Sequence, residues 1–399
     1  MNETRSIGDR LREARKRRGL TQRELARLSG VSLSYIRKLE QGDYDGGVRL
    51  ETAHKLARIL GVLTSALVAG PDAREPEQGE VDQWEPTRQA LEGVPAGEAT
   101  GEELSLAGLE DGVRAAVSAV LGSRYAELCL ILPGLLRDAD ALVAMSAGEA
   151  QRQARRLRSR IRQVTAYMMG QTWQFEVAND AIELAISDAG DELTEVAAAD
   201  WKCWALLRQG RLAETAELAT QWAADTKPRM SSATPAELTA WGRFLILVST
   251  AAVRDNRPGE ADEALRLARM AAAGLGRDII PGFNPWQVFG PATVAMVQAE
   301  NAMVMDQPSV TLGIGSRMVR QGFPVPRNYL RHRLDVASAH ASVRQYPEAV
   351  AVLHDIRGAA PEWLAQQRYA ADILGRVIGR RRSLTPEMRD LAAFLRLPL

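Results

Sequence analysis

The stretch QRELARLSGVSLSYIRKLEQ, Gln22 to Gln41, decides how this chain is read. Thr21 just before it and Glu24 within it form a capping box that opens one helix, and Gly30 breaks the chain after Leu28-Ser29. Ser32 then caps a second helix. Ala26 is small where two helices must cross closely, and Gly30 gives the permissive backbone that the turn needs. Leu25, Val31, Ile36 and Leu39 supply the apolar contacts that fix the crossing.

Outward from this pair, Ile7, Leu11 and Ala14 mark the inner face of a first helix that should end at Gly19. A fourth helix is predicted over residues 50–60 and a short fifth over 65–69. The connector Gly42-Asp43-Tyr44-Asp45-Gly46-Gly47 is longer and richer in glycine than a minimal turn requires, long enough to flex or to approach a phosphate. Residues 1–70 hold 14 Lys and Arg against 8 Asp and Glu, whereas residues 71–112 hold 2 against 12, so the zero net charge of the chain conceals a basic head. A basic head suits a polyanionic partner.

These residues form a helix-turn-helix and resemble the XRE family, the Cro and phage-repressor type. The resemblance runs from about Ser6 to Val68, through Leu11-Arg12-Glu13-Ala14-Arg15, Gly19-Leu20-Thr21-Gln22, Glu24-Leu25-Ala26 and Tyr35-Ile36-Arg37-Lys38-Leu39-Glu40-Gln41-Gly42. A helix entering the major groove offers base edges the side chains of its first turn and of the next turn on the same face, here Leu33, Ser34, Arg37 and Lys38. The resemblance implies that Ser34 and Lys38 hydrogen-bond bases and that Gln22 grips a phosphate at a helix N-terminus. Leu33, where many relatives have Gln, suits thymine methyl groups. Thr21, Arg23, Tyr35 and Arg49 are further backbone contacts, and Arg15-Lys16-Arg17-Arg18 reads equally as phosphate contact or as charge complementing a helix dipole. The implied partner is double-stranded operator DNA, bound by a homodimer on half-sites about one helical turn apart.

At 399 residues and 46% hydrophobic, the chain is long enough for more than one core. No apolar stretch reaches the roughly eighteen residues of a membrane span, the longest candidate being residues 244–253. No apolar signal segment follows the N-terminus, and Cys129 and Cys203 lack disulfide or metal spacing, so the expectation is a cytoplasmic, nucleoid-associated protein with reduced thiols and no membrane contact. The domains expected are a DNA-binding head over 1–70, an acidic Pro/Gly-rich linker over 71–103 that Trp84 could anchor, and a helical body over 104–399.

The fold class expected is all-α. In the body, apolar residues recur three and four apart through windows separated by short breaks. Hairpins are predicted at 194–209 with 212–224, 236–255 with 259–273, 289–305 with 309–320, and 328–345 with 347–356. A small residue recurs near the start of each second helix: Ala216, Ala264 and Ala349, with Val310 in the weaker third copy. The pattern indicates a solenoid of tetratricopeptide type with a spacing looser than the standard roughly 34 residues. Residues 152–162 read as a basic, solvated helix face.

This half also resembles actinobacterial regulators that couple an XRE head to a tetratricopeptide body, through Trp286-Gln287-Val288-Phe289-Gly290-Pro291, Arg333-Leu334-Asp335-Val336-Ala337 with Ala339-His340-Ala341, and Glu348-Ala349-Val350-Ala351-Val352-Leu353. Thr293 and Val297 stand where those relatives commonly carry Asn and His. The resemblance implies a body that senses a peptide, a small molecule or a protein, with Asn179, Arg243, Gln298, Asn301, Asn328 and Arg331 as groove candidates. An alternative is an interaction protein tethered to DNA by its head, whose main role is to recruit a protein partner. No enzyme, cofactor or metal is expected: His54, His332, His340 and His354 lack ligand spacing, and Gly313-Ile314-Gly315 has neither the preceding strand nor the remaining glycine of a nucleotide loop.

Overall fold

The computed structural model describes residues 6–42, 48–68, 82–93, 104–188, 192–281, 287–318, 326–381 and 383–397. Among them are 21 helices and no strand; one isolated antiparallel bridge joins Ile279 and Phe289. The fold is all-α. The Gly-rich connector of the head beyond Gly42, most of the acidic segment, and Trp286 lie outside the described residues.

The head consists of α1 (Ile7–Arg17), α2 (Gln22–Ser29), α3 (Leu33–Gln41), α4 (Leu50–Leu60) and α5 (Thr64–Leu67). Its core is Leu11, Leu25, Ile36, Leu39, Val48, Ala53, Leu56, Leu60 and Leu67, the inward residues of all five helices and of the segment before α4. Inside the stretch read as linker lies α6 (Glu85–Leu91), which packs against α8 (Tyr125–Met145). Trp84, 3% exposed, is drawn into the body core, so local composition underestimated a segment whose one large apolar side chain finds a long-range partner.

Six hairpins follow: α7 (Leu106–Leu121) with α8, α9 (Gly148–Gln171) with α10 (Phe175–Ser187), α11 (Glu192–Arg208) with α12 (Leu212–Asp225), α13 (Pro235–Arg254) with α14 (Pro258–Leu275), α15 (Pro291–Val304) with α16 (Pro308–Gly315), and α17 (Pro326–Ser342) with α18 (Tyr346–Ala359). Every one turns in the same way. Ser123, Trp173, Gly210, Asn256, Asp306 and Arg344 each adopt a left-handed backbone, φ +55° to +74°, and the next residue donates its N–H to the carbonyl five positions back, as Gln174 does to Met169 and Arg257 to Ala252. This bond satisfies a carbonyl that the end of the first helix would leave orphaned.

The turns also set the packing register. Five residues after each left-handed residue stands a side chain with at most 1% exposure: Leu128, Ala178, Thr215, Ala261, Thr311 and Ala349. The sequence alignment on Ala216, Ala264 and Val310 was therefore out of step. Val310 is exposed, and its neighbour Thr311 is the buried residue, donating to the Ala299 carbonyl at 2.8 Å.

Helix α13 is long and apolar enough to cross a membrane by length and composition, with a mean hydropathy of 1.3, which the sequence estimate of half that span had missed. Its position explains the composition: 89% of that window is buried, against α12, α14 and α15. Arg158 and Arg162, read as part of a solvated face, are instead clamped by Asp140 and Asp188, and Arg162 is buried. Three last helices, α19 (Pro361–Ala365), α20 (Arg368–Ile378) and α21 (Pro386–Phe394), bring the chain back to its first hairpins. Gln367 bonds Gln171 at 3.4 Å, and Glu362 accepts from the Ala126 amide at 2.9 Å, so the array of helices closes on itself.

Candidate nucleic-acid interface

Helix α2 starts as the capping box dictates: the Thr21 hydroxyl accepts from the Glu24 amide at 3.2 Å, and the Thr21 amide donates to Glu24 at 2.8 Å. Gly30 ends it at φ +69°, where a side chain would be strained, and its N–H closes on the Ala26 carbonyl. Ser32 accepts from the Tyr35 amide to start α3. Ile36 and Leu39 are turned into the core with Leu25, which leaves Ser34, Arg37 and Lys38 on the exposed face and Leu33 half-buried at its edge. Among the described residues the side chains of Arg37 and Lys38 have no ion-pair or hydrogen-bond partner, so two cations one residue apart are available to a groove.

The expected phosphate contacts are arranged less uniformly. Arg23 is exposed beside the start of α2, and Tyr35 packs against the head core. Gln22 donates its amide to Glu40 at 2.8 Å, and Arg15 grips the same carboxylate with two bonds of 2.6 and 2.8 Å. Burial opposes the charge on Glu40, yet the bonds from Arg15 and Gln22 outweigh it and hold this carboxyl below the usual range. This buried network, invisible to the motif, sets α1 and α2 against α3. Arg15 is thereby a structural residue rather than the free end of a basic run. Thr21 is committed to its cap. Arg49, largely exposed, pairs with Asp372 on α20, an arrangement that competes with its reading as a phosphate contact.

Helices α4 and α5 rest on the body along its hairpin turns. The Arg254 carbonyl accepts from Thr64 Oγ1 at 2.5 Å and lies 2.7 Å from His54 Nδ1; Asp255 accepts from the Ser65 amide at 2.7 Å. Asn256 donates to the Val62 carbonyl at 3.1 Å, and Arg58 reaches the Met305 carbonyl and Asp306. His54 is buried there, and burial lowers its pKa. None of these contacts leaves a sequence signal, because the partners lie some 190 to 250 residues apart.

Of the groove candidates, Arg243 is a correction: it is buried in a two-pronged ion pair with Asp200, at 2.9 and 3.1 Å from one nitrogen, and serves to join α13 to α11. Asn301 is also buried, donating to Ser249 at 2.8 Å with its carbonyl oxygen unpaired. Asn179 lines a cavity of about 490 Å³ with Lys202, Arg211 and Glu214. Gln298 and Asn328 are half-buried on α15 and α17. Arg331 sits between Glu300, at 3.2 Å, and Asp335, at 3.9 Å, over the ring of Tyr369. Thr293 bonds Asp278 at 2.7 Å in the cap of α15, a structural use of that position.

A family model described as helix-turn-helix matches residues 11–67, about a seventh of the chain. No curated protein and no solved structure matches the chain. The matched residues coincide with the five helices whose core and exposed α3 face are described above. The chain thus carries a DNA-binding helix-turn-helix domain of the kind found in transcription regulators.

Proposed function

We propose that this protein binds operator DNA as a homodimer, with α3 in the major groove and a tetratricopeptide-like body that senses a peptide, a small molecule or a protein partner and sets the spacing of the two heads. The observation that carries this reading is the division of the head into two faces. Ser34, Arg37 and Lys38 stand exposed on α3, while α4 and α5 are taken up by the body. One such head makes few base contacts, so useful specificity calls for two. Repeated hairpins in a common register support the solenoid reading, and inner faces of solenoids are recognition surfaces.

Selection of bound sequences from random duplexes provides the operator, and substitutions then test the roles. Lys38→Ala is expected to relax sequence preference, whereas Gln22→Ala weakens specific and random DNA alike, both by contact with phosphate and through Glu40. Equal losses from Lys38→Ala on both DNAs would contradict the base-reading role. Light scattering after size exclusion tests the dimer, and a monomer that binds operator tightly would refute it.

A further inference from the structure

Arg208 ends α11 and donates to the Gly170 carbonyl at 3.3 Å. Its guanidinium carbon lies 4.9 Å from the centre of the Trp173 ring and 5.4 Å from that of Trp204. Arg368, at the start of α20, lies over the same Trp173 ring at 3.8 Å. The Nε of Arg208 is buried with no hydrogen-bond partner, and among the described residues no carboxylate pairs with this side chain. That is unusual in this molecule. Arg162 has Asp188, Arg243 has Asp200, and Arg331 has Glu300 and Asp335.

A half-buried cation whose Nε is shut off from water, with no carboxylate partner among the described residues, is costly, and ring faces compensate only in part. Burial, together with repulsion from Arg331 and Arg368, pushes Arg208 down to about 10. Two further features show that the arrangement is built. Trp173 occupies the left-handed turn position that the other hairpins give to Ser, Gly, Asn, Asp or Arg, a conformation that strains a bulky side chain. Gly170 leaves room for Trp204, whose ring would lie 2.8 Å from a β-carbon at that position.

We propose that Arg208 and Arg368, on the Trp173 platform, form a binding site for an oxyanion, the carboxylate or phosphate group of a small organic effector. A guanidinium fork matches either group through paired N–H donors. The site deepens the effector-sensing reading and rests on it for its biological use, though not for its chemistry. It is also close to the head: a β-carbon at Gly210, two residues beyond Arg208, would lie within 4 Å of the Leu50 methyl groups, and Asp372, one turn beyond Arg368, pairs with Arg49. An anion drawn between the two arginines acts on the end of α11 and the start of α20, the latter paired with the head through Asp372.

The full chain is titrated with inorganic phosphate and, separately, with succinate, each against sodium chloride of equal ionic strength, with tryptophan fluorescence and melting temperature as readouts. Saturable change is expected with at least one oxyanion, the tighter one naming the group, and at least about a tenfold weakening in Arg208→Gln and in Arg368→Ala. Arg368 is exposed, so its variant keeps the test alive if Arg208→Gln does not fold. Arg380→Ala, in a cavity elsewhere that Arg344 and Arg376 also line, should bind as the parent does. No saturable response, or full binding by Arg368→Ala together with a folded Arg208→Gln, overturns the site. Hydrogen exchange of α4 and α5 with and without the oxyanion separates the two readings: binding with unchanged exchange keeps the site and defeats its role in moving the head, whereas changed exchange supports both.

Discussion

The cations of α3 and the cations of the body have opposite fates. Arg37 and Lys38 project from a short helix with no ion-pair partner among the described residues, while Arg158, Arg162, Arg243 and Arg331 are each held by carboxylates from elsewhere in the chain. The difference is one of distance along the chain. On α3, the face opposite Ile36 and Leu39 must be exposed, because the helix is short and its period is known. In the body, whether an arginine is free depends on a residue contributed tens of positions away. The lesson is that the exposure of a cation on a short amphipathic helix can be read from local pattern, whereas a cation in a stack of hairpins is first a candidate for an ion pair.

The contrast can be broken by substitution. The largest effect is expected from Arg243→Ala, which leaves Asp200 buried without its partner and should cost about 3–5 kcal/mol in urea unfolding, with Asp200→Asn recovering part of the loss in the double variant. A cost below about 1 kcal/mol would mean that the body tolerates an unpaired carboxylate there. Lys38→Ala should leave the unfolding midpoint unchanged while removing about 1–3 kcal/mol of discrimination between operator and random duplex, measured by competition binding. If it instead destabilises the head, α3 is not the free face described.

Acid sharpens the comparison at the docked side. Burial lowers the pKa of His54 in the docked head, so the undocked head binds more protons as pH falls below about 6.5, the value of an exposed histidine. Docking is therefore intact above that pH and weakens below it, by no more than about tenfold per pH unit for one proton. Hydrogen exchange of residues 54–67 between pH 7 and 5 measures this, and His54→Gln should flatten the dependence. The smallest effect belongs to Arg49→Ala. Its pair with Asp372 is exposed on the arginine side, so stability should fall by no more than about 1 kcal/mol, and operator affinity should move less than with Gln22→Ala. A large loss of DNA binding would restore Arg49 to the phosphate contacts.

Much of this was readable from the chain. Thr21, Glu24, Gly30 and Ser32 impose their geometry within four residues, and the first four hairpin helices after residue 191 fall close to their expected ends because Pro235 and Pro258 occupy first turns and Gly210 a turn between helices. Register was harder. Thr215 and Thr311 are polar by type yet fully buried, each returning its hydroxyl to a carbonyl, so an alignment on alanines passed over them. The groove candidates were chosen as polar residues on first helices, and that rule cannot distinguish Arg243, paired within the core, from Arg208, which has no acidic partner among the described residues. Trp173 gave no local signal, since a tryptophan in a hairpin turn looks like a core anchor until the two guanidinium groups beside it are seen.

The repeated left-handed turn has a mechanical consequence. Gly210, Asn256 and Asp306 belong to three successive hairpins: Asn256 bonds Val62 and Asp306 meets Arg58, while Gly210 faces Leu50 so closely that a β-carbon there would come within 4 Å of it. The head is thus footed on several rungs of one ladder, with Asp372 of α20 a further foothold. A change in the spacing of those rungs would be felt by the head at more than one foot.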